Sequence, residues 1–351
     1  MKRYVALVLS LILIISFAAC GGKSKNGFYD GLFNTDNEIQ TESPSENVTE
    51  YIPTDAPATE APIDIPAESS ITPLLYKVTD DKNNTLWLFG SIHVGMDYFY
   101  PLPEYVLDAY KNSDALAVEA DMVAFSTDIT AQTNAVLKLL YQDGTNIKDH
   151  LPEETYEKAV EVLTELGIYY SVLDMYMPFM WSSTIENELV YMAGYDSELG
   201  IDMFFLNDAH DTGKKILEVE SAEFQYNMMA NFSEELQALL LEETLLTYDN
   251  PELHYEDLDT LVELWTSGDE KGISEYLSAE GEFENKEEEK LYEEYNTEMV
   301  VKRNLSMADF AVDAIESGEE VFICVGAAHV VGEGGMADIL AEKGYKVEIV
   351  R

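Results

Sequence analysis

The chain has 351 residues and a net charge of −48 at pH 7, from 68 acidic and 20 basic side chains. This charge argues against nucleic acid as a partner, because phosphate binding requires clustered lysine and arginine, and against binding an anionic lipid surface. The chain has two cysteines, Cys20 and Cys324, so no disulfide scaffold is expected to hold the fold together.

The N-terminal segment is typical of an export signal. Two basic residues precede an apolar run that leads through Ala18 and Ala19 into Cys20. The run is shorter than a membrane-spanning helix, which needs about 20 residues, and this shortness disfavours a retained membrane anchor. Phe17-Ala18-Ala19-Cys20 resembles the lipobox of bacterial lipoproteins, in which the cysteine is acylated. We therefore expect a signal peptide over residues 1–20, lipidation of Cys20, and a lipid-anchored position on the extracytoplasmic face of the cell membrane; ordinary cleaved secretion is the alternative.

Residues 21–72 form an acidic linker rich in proline, threonine and serine. Its few large aliphatic residues cannot bury enough apolar surface to offset the entropy lost on ordering. Proline and like charges also keep such a segment extended. We predict a disordered spacer that lifts one globular domain, residues 73–351, off the membrane.

The globular part is predicted to be α/β, with a central mixed or parallel sheet, flanking helices and a helical insertion in the middle. Short runs of β-branched and aromatic residues predict strands at Leu74–Val78, Thr85–Phe89, Ala115–Glu119, Lys215–Val219, Val321–Val325 and Lys346–Val350. Apolar spacing and end signals predict helices at 103–112, 152–166, 233–248, 280–303, 303–317 and 336–343.

A Gly-x-x-His motif occurs twice, each time directly after a predicted strand. The first copy is Gly90-Ser91-Ile92-His93 and the second is Gly326-Ala327-Ala328-His329. In open α/β sheets, ligands bind at the carboxyl ends of the strands. Two copies at equivalent strand ends, in a chain with five histidines, favour a shared site over two unrelated structural turns.

Carboxylates follow two further strands. Glu119 ends the strand that begins at Ala115, and Glu220 follows the strand that begins at Lys215. Each could be a solvated edge residue or a member of a site, and the sequence leaves both open. Two imidazoles and a carboxylate can bind a divalent metal, or form a general base with an orienting partner. A bound metal would activate water and polarise a carbonyl.

The other candidate residues have simpler interpretations. His150, His210 and His254 are expected to have structural or surface roles, with His254 in a turn. Cys324, inside an apolar run, is expected to be a small buried hydrophobe rather than a nucleophile. The Met- and Tyr-rich stretch 169–192 is more typical of core than of a peptide-binding groove.

Together these segments resemble the TraB/GumN family, which includes the Tiki proteases of animals. The resemblance extends over nearly all of residues 74–351 and depends on the order and spacing of short motifs. These are Leu86–Gly95, Asp114–Asp121, Gly200–Asp202, Lys214–Glu220 with Gln225, Arg303-Asn304, Val325–Gly332 and Gly344–Val347.

The resemblance implies a fold related to the erythromycin esterase and haem-binding ChaN-like proteins. In the Tiki branch it also implies proteolysis that depends on a divalent metal such as manganese or cobalt. Carried onto this chain, the metal ligands would be His93, His329 and Glu119, with Glu119 as ligand or base. Arg303 would be a catalytic residue that stabilises an oxyanion, and Glu220, with Asp202, would assist catalysis by orienting other groups.

The sequence thus favours a membrane-tethered, extracytoplasmic, metal-dependent hydrolase that acts on peptides. Other members of the family resemble pheromone-inhibition proteins that act on peptide signals. A non-catalytic lipoprotein that binds a peptide or a small ligand is therefore the alternative, because a family outline does not fix an activity. Haem capture through one histidine is a further alternative.

Overall fold

The computed structural model describes residues 68–279 and 283–351, so the predicted signal peptide, Cys20 and nearly all of the predicted linker lie outside the described residues. Six strands are present there: β1 (Leu75–Thr79), β2 (Thr85–Ser91), β3 (Ala115–Val118), β4 (Lys215–Glu218), β5 (Val321–Gly326) and β6 (Lys346–Val350). They form one sheet in the order β4-β3-β5-β2-β1-β6.

Helices make up most of the remainder. The α-helices are α1 (Glu104–Asn112), α2 (Met122–Thr127), α3 (Ile129–Lys138), α4 (Glu153–Glu165), α5 (Pro178–Met192), α6 (Ile201–Thr212), α7 (Ala222–Ala230), α8 (Glu234–Asp249), α9 (Pro251–Ser267), α10 (Glu270–Leu277), α11 (Lys286–Asn296), α12 (Lys302–Ser317), α13 (Ala327–Val330) and α14 (Met336–Glu342). Short 3₁₀ turns lie at Asp97–Phe99, Ile147–Asp149, Ser171–Met175 and Ser197–Leu199, and a π-helical segment at Thr297–Val301.

The sheet is mixed. β4, β3, β5 and β2 run parallel to one another, whereas β1 is antiparallel to both β2 and β6. Between β3 and β5 the described part of the chain is largely helical, apart from β4 and the connecting loops. The α/β prediction, with a central sheet and a helical middle, is confirmed. The relation to the ChaN-like fold stays a prediction.

Both faces of the sheet are covered by apolar side chains. On one face the ring of Phe89 packs against Phe322 and Phe205, with centroids 5.8 and 5.9 Å apart. On the other face Leu88 and Ile323 belong to a second buried cluster. Successive residues of a strand point to opposite faces, so uninterrupted apolar runs suit strands that are buried on both sides.

The predicted solvated helix at 280–303 differs from the structure. Its start at Glu280 lies outside the described residues, and the helix proper begins at Lys286 and ends at Asn296. A π-helical segment then leads directly into α12, so Arg303 belongs to a new helix with a buried face. Among the described residues, no helix has both the length and the apolar character that crossing a membrane requires.

The turn expected at His254 is wrong. Pro251 begins α9 instead, because proline at a first helical turn gives up an N–H that would have no partner there. His254 is consequently buried, at 1% exposure, and neither ring nitrogen has a hydrogen-bond partner in the described part of the chain. Burial lowers the pKa of His254 to about 4.

This buried histidine makes the stability of the fold depend on pH. The pKa of His254 in the folded protein lies below that of an ordinary histidine. As the pH falls, the imidazole therefore binds a proton in the unfolded chain before it does so in the folded chain. Stability should therefore be lost between about pH 6.5 and pH 4, by about 2 kcal/mol from pH 7 to pH 5. We expect His254→Leu to remove this part of the pH dependence, measured as urea-unfolding free energies of both proteins at pH 7 and pH 5. An identical pH dependence in the two proteins would contradict the assignment.

Candidate functional site

The carboxyl ends of four parallel strands meet at one edge of the sheet. β2 and β5 carry the two Gly-x-x-His motifs to this edge, and β3 and β4 are followed there by Glu119 and Glu220. The parallel pairing continues one step beyond the strands, since the Glu220 N–H donates to the Glu119 carbonyl at 2.9 Å. The two glutamates are therefore neighbours, as expected because parallel strands end at the same edge of the sheet.

The two motifs approach each other through Gly90. A Cβ atom at this position would lie 2.9 Å from Cα of Ala327 in the second motif. Glycine is required here because a side chain would push apart the two strand exits that carry His93 and His329.

Glu119 is the centre of the site. One of its oxygens accepts a hydrogen bond from the backbone N–H of Gly326 at 2.8 Å. The other accepts from Arg303 Nη2 at 2.6 Å and from Gln225 Nε2 at 3.2 Å. Burial alone would raise the pKa of Glu119, but the charge of Arg303, with further contributions from His329, His93 and the Gly326 hydrogen bond, lowers it to about 2. The carboxylate is therefore ionised at neutral pH.

Arg303 joins the two glutamates. Its Nε and Nη2 donate to Glu220 at 2.8 and 2.9 Å, and Nη2 also donates to Glu119. Its Nη1 donates to the carbonyl of Met299 in the π-helical segment at 3.4 Å. Only 2% of Arg303 is exposed, so the guanidinium is held among its partners. Gln225 Nε2 donates to Glu220 as well, at 3.0 Å, and completes this network.

His93 lies between two carboxylates. Its Nδ1 is 3.1 Å from Oδ1 of Asp202, and its Nε2 is 3.8 Å from Oε1 of Glu119. Burial lowers the pKa of His93, but the charge of the adjacent Asp202 carboxylate, and then the charge of Glu119, outweigh burial and raise it to about 9. Asp202 therefore orients the ring and leaves Nε2 directed towards Glu119.

Two glycines allow Asp202 to reach His93. A Cβ at Gly95 would lie 1.9 Å from the carbonyl oxygen of Leu199, and one at Gly200 would lie 2.6 Å from the carbonyl oxygen of His93. The Ile201 N–H also donates to the Ile92 carbonyl at 3.0 Å. The loop after the first motif thus packs directly on the start of α6, which carries Asp202.

His329 is buried with one nitrogen bound and one without a partner. Its Nδ1 is 2.7 Å from Oδ1 of Asn304, whose Nδ2 donates to the carbonyl of Gly334 at 2.9 Å. The amide oxygen must therefore accept, so Nδ1 carries the proton and Nε2 keeps its lone pair. This Nε2 has no hydrogen-bond partner among the described residues. Burial and the nearby charge of Arg303 lower the pKa of His329 to about 3, so the ring stays neutral.

The donor set can be compared with what a metal requires. Within residues 68–279 and 283–351, no three His, Cys, Asp or Glu side chains are arranged to hold a metal ion. Two features nevertheless fit a metal. Each motif histidine has its Nδ1 against an oxygen of a neighbouring side chain, as ligating histidines do, and the buried Nε2 of His329 has no partner among the described residues. A cation at this cluster would have to be held by His93, His329 and Glu119, the ligands that the sequence predicts.

The structure brings together the six residues that the sequence proposed for metal binding or catalysis, whereas Cys20, the proposed lipidation site, lies outside the described residues. His93, His329, Glu119, Glu220, Arg303 and Asp202 share one buried cluster. What the sequence did not reveal is that Asn304 positions His329 and that Gln225 bridges the glutamates. Both residues stand in motifs of the resemblance, so their presence was visible in the sequence, but their partners were not.

The remaining histidines and Cys324 lie elsewhere or have no role at this cluster. His150 stacks on Tyr141, and the half-exposed His210 pairs with Asp121. Cys324 is a free, fully buried cysteine on β5, where burial raises the pKa of its thiol well above the usual value. The expectation of a small buried hydrophobe is confirmed for Cys324.

The sequence is similar to a known protein family and to several curated proteins. The model of the TraB/PrgY/gumN family matches residues 74–349. Escherichia coli YbaP is 27% identical over 263 residues, which span 75% of this chain and 90% of YbaP. The metalloprotease TIKI2 of Danio rerio is 23% identical over 323 residues, and that of Xenopus tropicalis is 25% identical over 325. These matches span 61% of each TIKI2 chain. No solved structure matches.

Proposed function

The chain belongs to the TraB/PrgY/gumN family, and from this premise we propose that it is a metal-dependent hydrolase that cleaves peptides. The observation that carries the proposal is the buried Nε2 of His329, which has no hydrogen-bond partner within residues 68–279 and 283–351 and lies in one cluster with His93 and the ionised Glu119. The distant similarity to the TIKI2 metalloproteases supports it.

In this proposal His93 and His329 would hold the cation through Nε2, and Glu119 would be a ligand or a base. A divalent cation at this position would supply Lewis acidity and a more acidic water. Asp202 and Asn304 contact the two rings at Nδ1, which leaves Nε2 of each histidine as the nitrogen that would face a cation. Because the pKa of Glu119 is held low, its carboxylate is in the form that accepts a proton at neutral pH.

The sequence alone suggests that Arg303 stabilises an oxyanion. The structure places its guanidinium between Glu119 and Glu220, nearly without exposure. We therefore propose that Arg303 acts through Glu119, as a positioning residue that holds the carboxylate in place and ionised. Glu220 and Gln225 have the same indirect role, since both contact Arg303 or Glu119 and neither is paired with a motif histidine.

We also propose that the domain acts outside the cytoplasm, tethered to the membrane through an acylated Cys20. The support is the basic N-terminus, the apolar run that ends at Cys20, and the acidic linker that follows. The substrate would then be a peptide outside the cytoplasm.

Metal analysis tests the hydrolase proposal directly. We expect wild-type protein to retain manganese or cobalt after dialysis. His93→Ala and His329→Ala should weaken metal affinity by at least the about 10- to 100-fold typical of disturbed metal sites. His210→Ala is the matched control, because this histidine lies outside the cluster. Hydrolysis of an unstructured peptide mixture should require the metal and stop with a chelator. Equal metal content in all four proteins would refute the metal-dependent form, and would favour a non-catalytic binder.

A further inference from the structure

Strand β6 is the outermost strand on one side of the sheet. It pairs with β1 on its inner side, and among the described residues no other backbone pairs with its outer side. Its side chains are exposed or half-buried, and Ile349 keeps 39% of its surface accessible. An edge strand with unpaired N–H and C=O groups and an exposed apolar side chain can pair with a strand of another chain.

The two faces of β6 differ in character. Lys346 and Glu348 lie two residues apart, so their side chains point to the same face of the sheet, where they form an exposed ion pair at 2.7 Å. Val347 and Ile349 point to the other face, together with Tyr345, which directly precedes the strand. On that face Tyr345 and Val347 pack beside the second buried cluster of the sheet. One face of the strand is therefore charged, and the other is apolar.

We propose that β6 is an interface between two copies of this chain, which pair antiparallel about a two-fold axis at Val347. In this register Lys346 of each copy lies opposite Glu348 of the second copy, so two pairs of opposite charges meet across the interface. Val347 lies opposite its own counterpart, and Ile349 lies opposite Tyr345. Every pair joins residues of the same face, as antiparallel pairing requires.

Charge selects this register over the neighbouring ones. A two-fold axis perpendicular to the sheet must pass between equivalent residues of the two strands, because only then do opposite side chains share a face. An axis at Lys346 would place the two ammonium groups opposite each other, and an axis at Glu348 would do the same with two carboxylates. Like charges directly opposite destabilise antiparallel pairing, whereas opposite charges stabilise it. Of these three registers, the one centred on Val347 alone gives both charged residues an opposite partner.

The local charge also permits self-association. The whole chain has a net charge of −48, and a charge of this size keeps copies apart. Residues 344–351, however, contain the basic Lys346 and Arg351 and a single acidic side chain, Glu348. Strand β4, at the opposite edge of the sheet, offers no comparable register, because Lys215 and Glu218 lie three residues apart and hence on opposite faces. The charges thus favour β6 as the strand that pairs.

The dimer would join two six-stranded sheets into one sheet of twelve strands. β6 runs in the same direction as β2, because both are antiparallel to β1. Since the two copies of β6 run antiparallel, the carboxyl edges of the two sheets point in opposite directions. Each candidate site is therefore complete within one copy, and association through β6 does not depend on hydrolase activity.

Sedimentation equilibrium of the full chain in density-matched detergent measures this association. A pair of five-residue strands is small beside the about 1,200–2,000 Å² of stable complexes, so we expect a reversible dimer with a dissociation constant on the order of 10⁻⁵ M. Lys346→Glu and Glu348→Lys each place like charges opposite each other, and each should raise this constant by at least about 10-fold. The double variant with both substitutions restores opposite charges and should dimerise like the wild-type protein.

Glu287→Lys is the matched control for the charge reversals. Glu287 forms an exposed ion pair with Lys290 on α11, outside the sheet, and its substitution changes the net charge as much as Glu348→Lys does. We expect the control to dimerise like the wild-type protein. A wild-type protein that stays monomeric at concentrations on the order of 10⁻⁴ M would overturn the interface. So would single reversals that behave like the control, or a double variant that stays as weak as the single ones.

Cross-linking tests the register itself. The two copies of Val347 are expected to have Cβ atoms about 4.5–5.5 Å apart, whereas the two copies of Ile349 are offset by four residues, or about 13 Å. With copper–phenanthroline as the oxidant, Val347→Cys should therefore form a disulfide-linked dimer, and Ile349→Cys should remain unlinked. Circular dichroism shows that both variants are folded. Linking of Ile349→Cys, equal linking of both variants, or no linking of Val347→Cys contradicts the register.

Discussion

Arg303→Met should lower the free energy of unfolding by about 3–5 kcal/mol at pH 7, because it leaves two buried carboxylates without their counter-charge. Arg303 contacts Glu119 and Glu220 through Nε and Nη2, and the side chains of all three residues are almost inaccessible to water. Removing one partner of a buried ion pair costs far more than the pair contributes relative to an apolar replacement. The measurement is urea unfolding followed by circular dichroism.

Lys302→Met is the matched control for this variant. Lys302 precedes Arg303 in α12 and pairs with Glu298, but its side chain is 61% exposed. An exposed pair of this kind contributes less than about 1 kcal/mol. Equal losses in the two variants would show that the buried network does not stabilise the fold.

The loss in Arg303→Met should also shrink at acidic pH. In the wild-type protein the pKa of Glu119 is lowered to about 2. The ionised carboxylate therefore contributes to the free energy of unfolding above the ordinary glutamate pKa, and this contribution is lost as the pH falls towards 2. Without the guanidinium, burial raises this pKa instead, so protonation favours the folded variant. The two unfolding curves should therefore converge as the pH is lowered from 7 to 4, and a constant difference would contradict the role of Arg303.

Glu119→Gln should lower the rate of peptide hydrolysis by about 10²- to 10⁴-fold, the contribution typical of a general acid–base group. Glu119 is the carboxylate that faces Nε2 of His93, and Gly326 and Arg303 fix its position. Glutamine keeps the shape of the side chain but cannot accept the proton. We expect the loss in kcat rather than in KM, because the carboxylate acts on the reacting atoms.

Glu220→Gln is the control that distinguishes a catalytic role of Glu119 from a role in holding Arg303. Both substitutions remove one of the two carboxylates that bind Arg303, so both should lower stability to a similar extent. Within the described part of the chain Glu220 forms no ion pair or side-chain hydrogen bond with His93 or His329, and we expect its substitution to reduce hydrolysis by no more than about 10-fold. Equal losses of activity would mean that Glu119 acts only by holding Arg303.

The strands and the position of the site were largely predictable from the sequence. Short β-branched runs can bury both of their faces only in a covered sheet, and β3 and β5, which are buried throughout, begin where these runs begin. A glycine and a histidine directly after two such strands indicate a site at the carboxyl edge. Parallel strands deliver their ends to the same edge, so the meeting of His93 and His329 followed from the pattern.

The partners within the site depended on tertiary structure. Arg303 lies 184 residues from Glu119 in sequence, and Trp265 lies 175 residues from Gly90. Periodicity shows that one face of a helix is buried, but not against which element it packs. The same limit explains His254, whose burial depends on what covers α9.

By itself, the amino-acid sequence determined an acidic α/β domain with two histidine turns and two glutamates at one edge of its sheet. Tertiary structure decided that Arg303 holds Glu119 ionised, that Asn304 and Asp202 contact the two imidazoles, and that α9 packs on the two motifs that carry them. The physical reason is the separation along the sequence of the residues that interact. Backbone pairing and apolar periodicity are local properties of the chain, whereas charge pairing and cavity shape arise only when distant segments pack together.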